Sequence, residues 1–155
     1  MKIGIIIHST TGHTLSVAEK IKEKLISLNH EAEIEKIIAT KDEEIDIIKF
    51  ELINSPKIDQ YDFLIFGAPV RAFNISPVIS KYFSEIKSFE NKKIICFVTM
   101  TFPFKWMGGK NAVSKMKNIC EEKNGKVIYS EIISWSRKNR EENINKMIND
   151  FIKYV

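Results

Sequence analysis

Residues 3–14 read Ile-Gly-Ile-Ile-Ile-His-Ser-Thr-Thr-Gly-His-Thr. An apolar run of strand length ends in a cluster of hydroxyls around Gly12. A helical pattern follows at once: Leu15, Ala18, Ile21, Leu25 and Leu28 recur every three or four residues. The order is strand, tight turn, helix N-terminus. Ser9, Thr10, Thr11 and Thr14 crowd that turn. Unpaired amides at a helix start favour an anion, and hydroxyls add donors without adding charge. The natural guest is a phosphate.

The same alternation continues along the chain. Further strands are predicted at 31–38, 63–67, 93–99 and 127–134, the first at 2–8. Helical stripes run through Ile75, Val78, Ile79, Tyr82, Phe83 and Ile86, then Ala112, Val113, Met116, Ile119 and Cys120. Ile144, Met147, Ile148, Phe151, Ile152 and Val155 form the last. Ser76-Pro77 reads as an N-cap followed by proline at the first helical position, and Asn124-Gly125 as a left-handed stop. Residues 41–53 are read as a further helix.

Strand–helix alternation predicts a parallel sheet covered on both faces. Central strands that are continuously apolar suit burial on both sides. Residues 31–38 alternate charged and apolar, which suits an edge. The fold class expected is α/β, a doubly wound five-stranded parallel sheet in the order 2-1-3-4-5, as a single domain over residues 1–155. In that order ligands bind at the carboxyl ends of strands 1 and 3, where the winding reverses.

Composition narrows the function. The chain has 155 residues and a net charge of +4. Of 24 basic residues three are arginines (Arg71, Arg137, Arg140), leaving 21 lysines, spread over helix faces without a compact run. That spread argues against nucleic acid. No stretch approaches the ~20 apolar residues of a membrane span, and the first apolar run stops at His8 without a cleavage site; a cytoplasmic location is expected. Cys96 and Cys120 read as buried hydrophobes. His8, His13 and His30 are too scattered for a metal site.

Ser9 to Thr14 matches the phosphate-loop pattern of flavodoxins, and the whole chain resembles that family. Residues 61–70, Tyr-Asp-Phe-Leu-Ile-Phe-Gly-Ala-Pro-Val, are similar to its segment leading into the first flavin loop. Thr99 to Gly109 lies where its second flavin loop lies. The resemblance implies non-covalent FMN. Ser9, Thr10, Thr11, Gly12, His13 and Thr14 would then hold the 5′-phosphate. Ala68, Pro69, Val70, Arg71, Phe73 and Asn74 on one side, and Thr99, Met100, Thr101, Phe102, Trp106 and Gly108 on the other, would flank the isoalloxazine ring. Trp106 is the preferred aromatic contact.

Competing readings are weighed on the same residues. Ser9 to Thr14 could be an ordinary capped turn. Dinucleotide binding lacks Gly-x-Gly-x-x-Gly, and Gly108-Gly109-Lys110-Asn111 lacks the hydroxyl and spacing of a Walker loop. His13 could face the phosphate, a substrate or solvent. Arg71, Lys105 and Lys110 border the two flavin loops, with no Asp or Glu in 67–84 or 94–120, so a cationic surround is expected. The resemblance implies an electron carrier between redox proteins, which chain length also suits. The alternative is a small oxidoreductase passing electrons from NAD(P)H to a quinone, and a flavin-free binding or regulatory module on the same fold is the third reading. No residue is nominated as catalytic acid or base.

Overall fold

The computed structural model describes residues 1–155. Five parallel strands form one sheet in the order β2-β1-β5-β6-β7: β1 (Lys2–Ile7), β2 (Glu31–Lys36), β5 (Phe63–Pro69), β6 (Lys93–Met100) and β7 (Lys126–Ser134). Counted within the sheet this is the expected order 2-1-3-4-5. Between β2 and β5 lies a separate antiparallel ribbon, β3 (Ile38–Ala39) and β4 (Leu52–Asn54). The helices are α1 (His13–Ser27), α2 (Pro77–Glu85), α3 (Gly109–Glu122) and α4 (Arg140–Phe151).

Strand alternation sends side chains to two cores. Ile3, Ile5 and Ile7 of β1 pack with Val17, Ile21 and Leu25 of α1 and with Ile144, Met147 and Phe151 of α4. Ile6 faces the opposite side, with Val78, Ile79, Tyr82 and Phe83 of α2 and Ala112, Val113 and Met116 of α3. Fully burying one such aliphatic or aromatic chain contributes roughly 1.5–3 kcal/mol. Both cysteines lie buried in the second core.

Helix ends follow local chemistry. Ser76 Oγ accepts from Ile79 N–H at 3.3 Å, and Pro77 opens α2. Asn124 takes the left-handed conformation (φ 63°) after α3, as expected.

The helix expected at 41–53 is not formed. A 3-10 turn at Ile47–Lys49, capped by Asp46, and the β3–β4 ribbon occupy the segment. Its isoleucines make no buried face: Ile45, Ile48 and Ile53 are exposed. Phe50 alone is driven fully into the core, with the Lys81 ammonium 4.8 Å from its ring centre. Thr40 N–H to Glu51 O (2.9 Å) holds the ribbon. Strand 2 is shorter than expected for the same reason. Ile37 N–H still reaches Ile7 O (2.8 Å), but Ile38 has turned into the ribbon.

Two sheet glycines admit aromatic rings. A Cβ on Gly4 would lie 2.5 Å from the Tyr61 ring, and one on Gly67 2.2 Å from the Phe97 ring. Neither ring can retreat from a packed core. Gly67→Ala should therefore destabilise by about 1–3 kcal/mol with the fold retained, read as a lower urea midpoint at unchanged slope. An unchanged midpoint would show that Phe97 has room to move.

Candidate functional site

The winding reverses between β1 and β5. α1 leaves β1 towards one face, α2 leaves β5 towards the other, and their connecting loops diverge. The cleft between them is bounded on its third side by the loop after β6.

Gly12 caps α1 in the left-handed region (φ 92°), and no atom lies within 4 Å of a Cβ built there. That conformation lets the chain enter the helix with its amides turned outward. Leu15 N–H donates to Ser9 Oγ at 3.3 Å. The N–H groups of Thr10, Thr11, Gly12, His13 and Thr14 donate to no acceptor within the protein. Neither do the hydroxyls of Thr10 and Thr11 have a partner. Thr14 is different: it is buried, and its hydroxyl meets that of Thr99 at 2.9 Å, tying the loop to β6.

Thr10, Thr11 and His13 line a small cavity of about 70 Å³ with Pro69, Val70, Arg71, Thr99, Met100 and Thr101. Through Val70, Met100 and Thr101 it adjoins a more apolar slot of about 190 Å³, completed by Ala72, Phe73, Phe102 and Met107. The donors and the apolar walls thus stand end to end. Phe73 and Phe102 stack across this slot, 5.5 Å between centroids and 8° from parallel.

Phe73 is carried on a two-residue hairpin. Arg71 and Asn74 exchange both backbone hydrogen bonds at 2.9 Å, and Ala72 and Phe73 between them have φ 47° and 59°. Such a turn favours Asn-Gly. Here it is supported from outside. Asn74 Oδ1 accepts from Ile75 N–H (2.8 Å), Lys115 Nζ (2.8 Å) and Asn111 Nδ2 (3.3 Å). Gly108 (φ 99°) lies beneath it, where a Cβ would come within 2.5 Å of Phe73 Cα.

Four expected contacts are placed elsewhere. Ala68 is wholly buried in the α2–α3 core, because β5 runs on to Pro69. Gly108 and Asn74 carry the hairpin rather than line the slot. Trp106 is 71% exposed and stacks on Phe104 (6.0 Å, 7°), outside the cleft. Met107 takes the lining place instead. The loop reverses just there, with Met107 N–H bonded to Phe104 O at 3.0 Å, so adjacent side chains diverge.

His13 stacks on Trp135 at 4.0 Å and 11°, and the Arg140 guanidinium lies 4.3 Å from the same indole centre. Desolvation, with Arg140 nearby, holds the His13 pKa below its usual value. It borders the cleft as a neutral ring.

The expected cationic surround is offset only in part by contacts remote in sequence. Lys105 is paired with Glu131 at 3.0 Å. Arg71 donates to Glu43 O (3.5 Å), so the acidic run Asp42, Glu43, Glu44, Asp46 flanks it. A further cavity of about 520 Å³ on the far side of the hairpin is lined by Arg71, Ala72 and Asn74 together with Ile45, Asp46 and Ile47.

One buried network was not anticipated. His8, at the end of β1, places Nδ1 2.8 Å from Ser76 Oγ and Nε2 2.8 Å from Asp42 Oδ1. Ser76 Oγ already accepts from Ile79 N–H, so its proton points to Nδ1, and the Nε2–H donates to Asp42. The neutral imidazole satisfies every partner. Burial lowers the His8 pKa, against the pull of Asp42 and with help from Arg71. A histidine directly before the hydroxyl loop was the visible signal. Its partners, 34 and 68 residues away, were not.

No family model matches the sequence, and no curated protein matches it either. Solved structures do. Oxidised flavodoxin 2 from Bacillus cereus is 16% identical, with 100% of both chains covered and a TM-score of 0.72. The Fusobacterium nucleatum flavodoxin bound to flavin mononucleotide is 16% identical, covering 99% of this chain and 98% of that one, at 0.68. A Lactobacillus acidophilus flavoprotein in complex with FMN is 18% identical over 94% and 97%, at 0.64. At such identities the likeness shows the fold, which is flavodoxin-like.

A group buried neutral with a lowered pKa gives stability that is complete above its unfolded value of about 6.5 and is lost as pH falls from there. In a His13→Gln background, the chain should lose urea stability as pH falls below about 6.5. The added His8→Gln change should remove that part of the slope, so the two curves converge towards acid. Parallel curves would show that His8 is not titrating against its burial.

Proposed function

We propose that the chain binds one FMN non-covalently in the cleft and acts as an electron carrier between redox proteins. The observation that carries this reading is the row of five free amides, Thr10 to Thr14, beside the free hydroxyls of Thr10 and Thr11. It sits at a helix N-terminus, where the dipole favours a doubly charged group. An apolar, aromatic-walled slot adjoins it at the switch point of the sheet. That donor set fits a phosphate monoester joined to a planar ring. The solved FMN complexes of the same fold support the choice.

When bound, FMN supplies one- and two-electron chemistry of its own. The chain's residues hold, orient and shield. The α1 amides, Thr10 and Thr11 take the phosphate. Thr14, through Thr99, fixes the loop against β6. Phe73 and Phe102, with Val70, Met100 and Met107, would supply the apolar walls for the ring. Among the lining residues only His13 and Arg71 ionise, and no carboxylate is present to move a proton.

A second reading has its own observation. The cavity of about 520 Å³ across the hairpin could seat a small acceptor such as a quinone, with electrons drawn from NAD(P)H. Steady-state oxidation of NADH or NADPH with a quinone separates the two: turnover only with protein partners supports the carrier.

The cofactor assignment is tested by Thr10→Val and Thr11→Val. Each lost hydrogen bond to a charged group is worth about 1.5–3 kcal/mol. FMN affinity should fall by about tenfold or more per substitution, while riboflavin, lacking the phosphate, should bind nearly as before. Equal weakening of both ligands would remove the phosphate from this loop.

A further inference from the structure

The carboxyl edge of the sheet is charged unevenly along its strand order. At the β2 end lie Asp42, Glu43, Glu44 and Asp46, partly offset by Lys41 and Lys49. At the β7 end lie Lys105, Lys110, Arg137, Lys138 and Arg140. Two of the carboxylates there are already engaged, Glu131 by Lys105 at 3.0 Å and Glu141 by Lys20 and by Arg140 at 3.7 Å, and Glu142 alone is left unpaired against three unpaired cations. Lys110, Arg137 and Lys138 pair with no carboxylate. This half of the edge therefore carries uncompensated positive charge.

Exposed aromatics stand among these cations. Phe104 and Trp106 stack on one another and present 49% and 71% of their surface. The Arg137 guanidinium lies 6.0 Å from the Phe104 ring centre, and its Nε–H holds Pro103 O at 2.8 Å, so the loop is braced in this pose. Phe102 and Phe73, both exposed on their outer sides, link the cluster to the cleft. Contiguous exposed apolar surface marks an interaction site. Aromatic residues and arginine are the types enriched at the centres of protein interfaces.

We propose that the rim formed by Phe104 and Trp106, with Lys110, Arg137 and Lys138 around them, is the docking surface for an acidic redox protein. The redox character of the partner rests on the carrier reading above; its acidity rests on the charges alone. The Asp42–Asp46 segment repels an acidic partner from the opposite end of the edge, and the uncompensated cations draw it to this one. Approach is thereby oriented, with the partner over the aromatic slot. Complementary fields of this kind govern encounter and register.

The probe is a plant-type iron–sulfur ferredoxin, which is acidic, with a basic c-type cytochrome as the opposite charge. Binding is followed by backbone amide shifts of the protein with and without FMN. Ferredoxin should perturb residues 102–110 and 135–139, with affinity falling steeply as salt rises. Lys110→Glu with Lys138→Glu should weaken it by about tenfold or more at low ionic strength, and Trp106→Ala should weaken it at high ionic strength too. Thermal midpoints check that each variant is folded. Unchanged ferredoxin affinity after charge reversal, shifts centred on residues 42–51, or equal cytochrome binding at 102–110 would each overturn the proposal. So would binding of phosphatidylglycerol vesicles, with a Trp106 blue shift, in place of ferredoxin. Ferredoxin binding without any FMN affinity would uphold the surface and remove the flavin reading. The reverse result would do the opposite.

Discussion

The pairing of β1 with β5 sets the terms for everything at the carboxyl edge. The two strands run parallel in register from Ile3↔Phe63 to Ile7↔Gly67, and His8 N–H extends the ladder to Gly67 O at 3.0 Å. Parallel neighbours need crossover connections, and right-handed crossovers from β1 and β5 proceed in opposite directions along the sheet. α1 therefore covers one face and α2 the other. No connection bridges the point where they part. The amides opening α1, the Arg71–Asn74 hairpin and the loop after β6 converge on a gap that the winding itself creates.

His8 sits at the root of that gap. Its ring joins the end of β1, the cap of α2 and the connection between the two strands of the ribbon. A buried neutral imidazole donates at one nitrogen and accepts at the other, as these two partners require. Removing either partner leaves a buried polar nitrogen unsatisfied, at a cost of about 1–3 kcal/mol. Asp42 is brought here by the ribbon, and the ribbon is held by the burial of Phe50. A core contact near α2 thus bears on the electrostatics of a loop after β1.

Much of this was legible in the sequence, and what was not has a common physical cause. Continuous apolar runs such as Ile94–Val98 revealed the central strands, and period-3.6 stripes the helices. Gly12 among hydroxyls announced the turn whose amides are left unpaired. These are local patterns. Residues 41–53 misled because Ile45, Ile48 and Ile53 look like a helical face, yet all three are exposed. The segment's conformation is decided by one buried ring and a cross-ribbon bond. Charge misled in the same way. Lys105 read as a free cation beside its own neighbours in sequence, but the Glu131 carboxylate reaches it through the fold, while Arg71 meets only the backbone carbonyl of Glu43. Trp106 is adjacent to Met107, and a turn of the loop was enough to send one outward and the other into the slot.

The hairpin shows where local preference has yielded to position. Six residues other than glycine hold positive φ: Asn29, Ala72, Phe73, Glu90, Asn91 and Asn124. Asparagine tolerates that region well, and three of the six are asparagine. Ala72 and Phe73 have no such excuse, and a non-glycine residue held there costs on the order of 1–3 kcal/mol. Their conformation is enforced by the paired Arg71–Asn74 bonds, by Lys115 and Asn111 on Asn74, and by the close approach of Gly108. A glycine at position 73 would relieve the strain but would remove the ring that stacks on Phe102. The strained turn carries an aromatic side chain at its tip. Backbone strain at the mouth of the cleft therefore accompanies an aromatic wall of the slot.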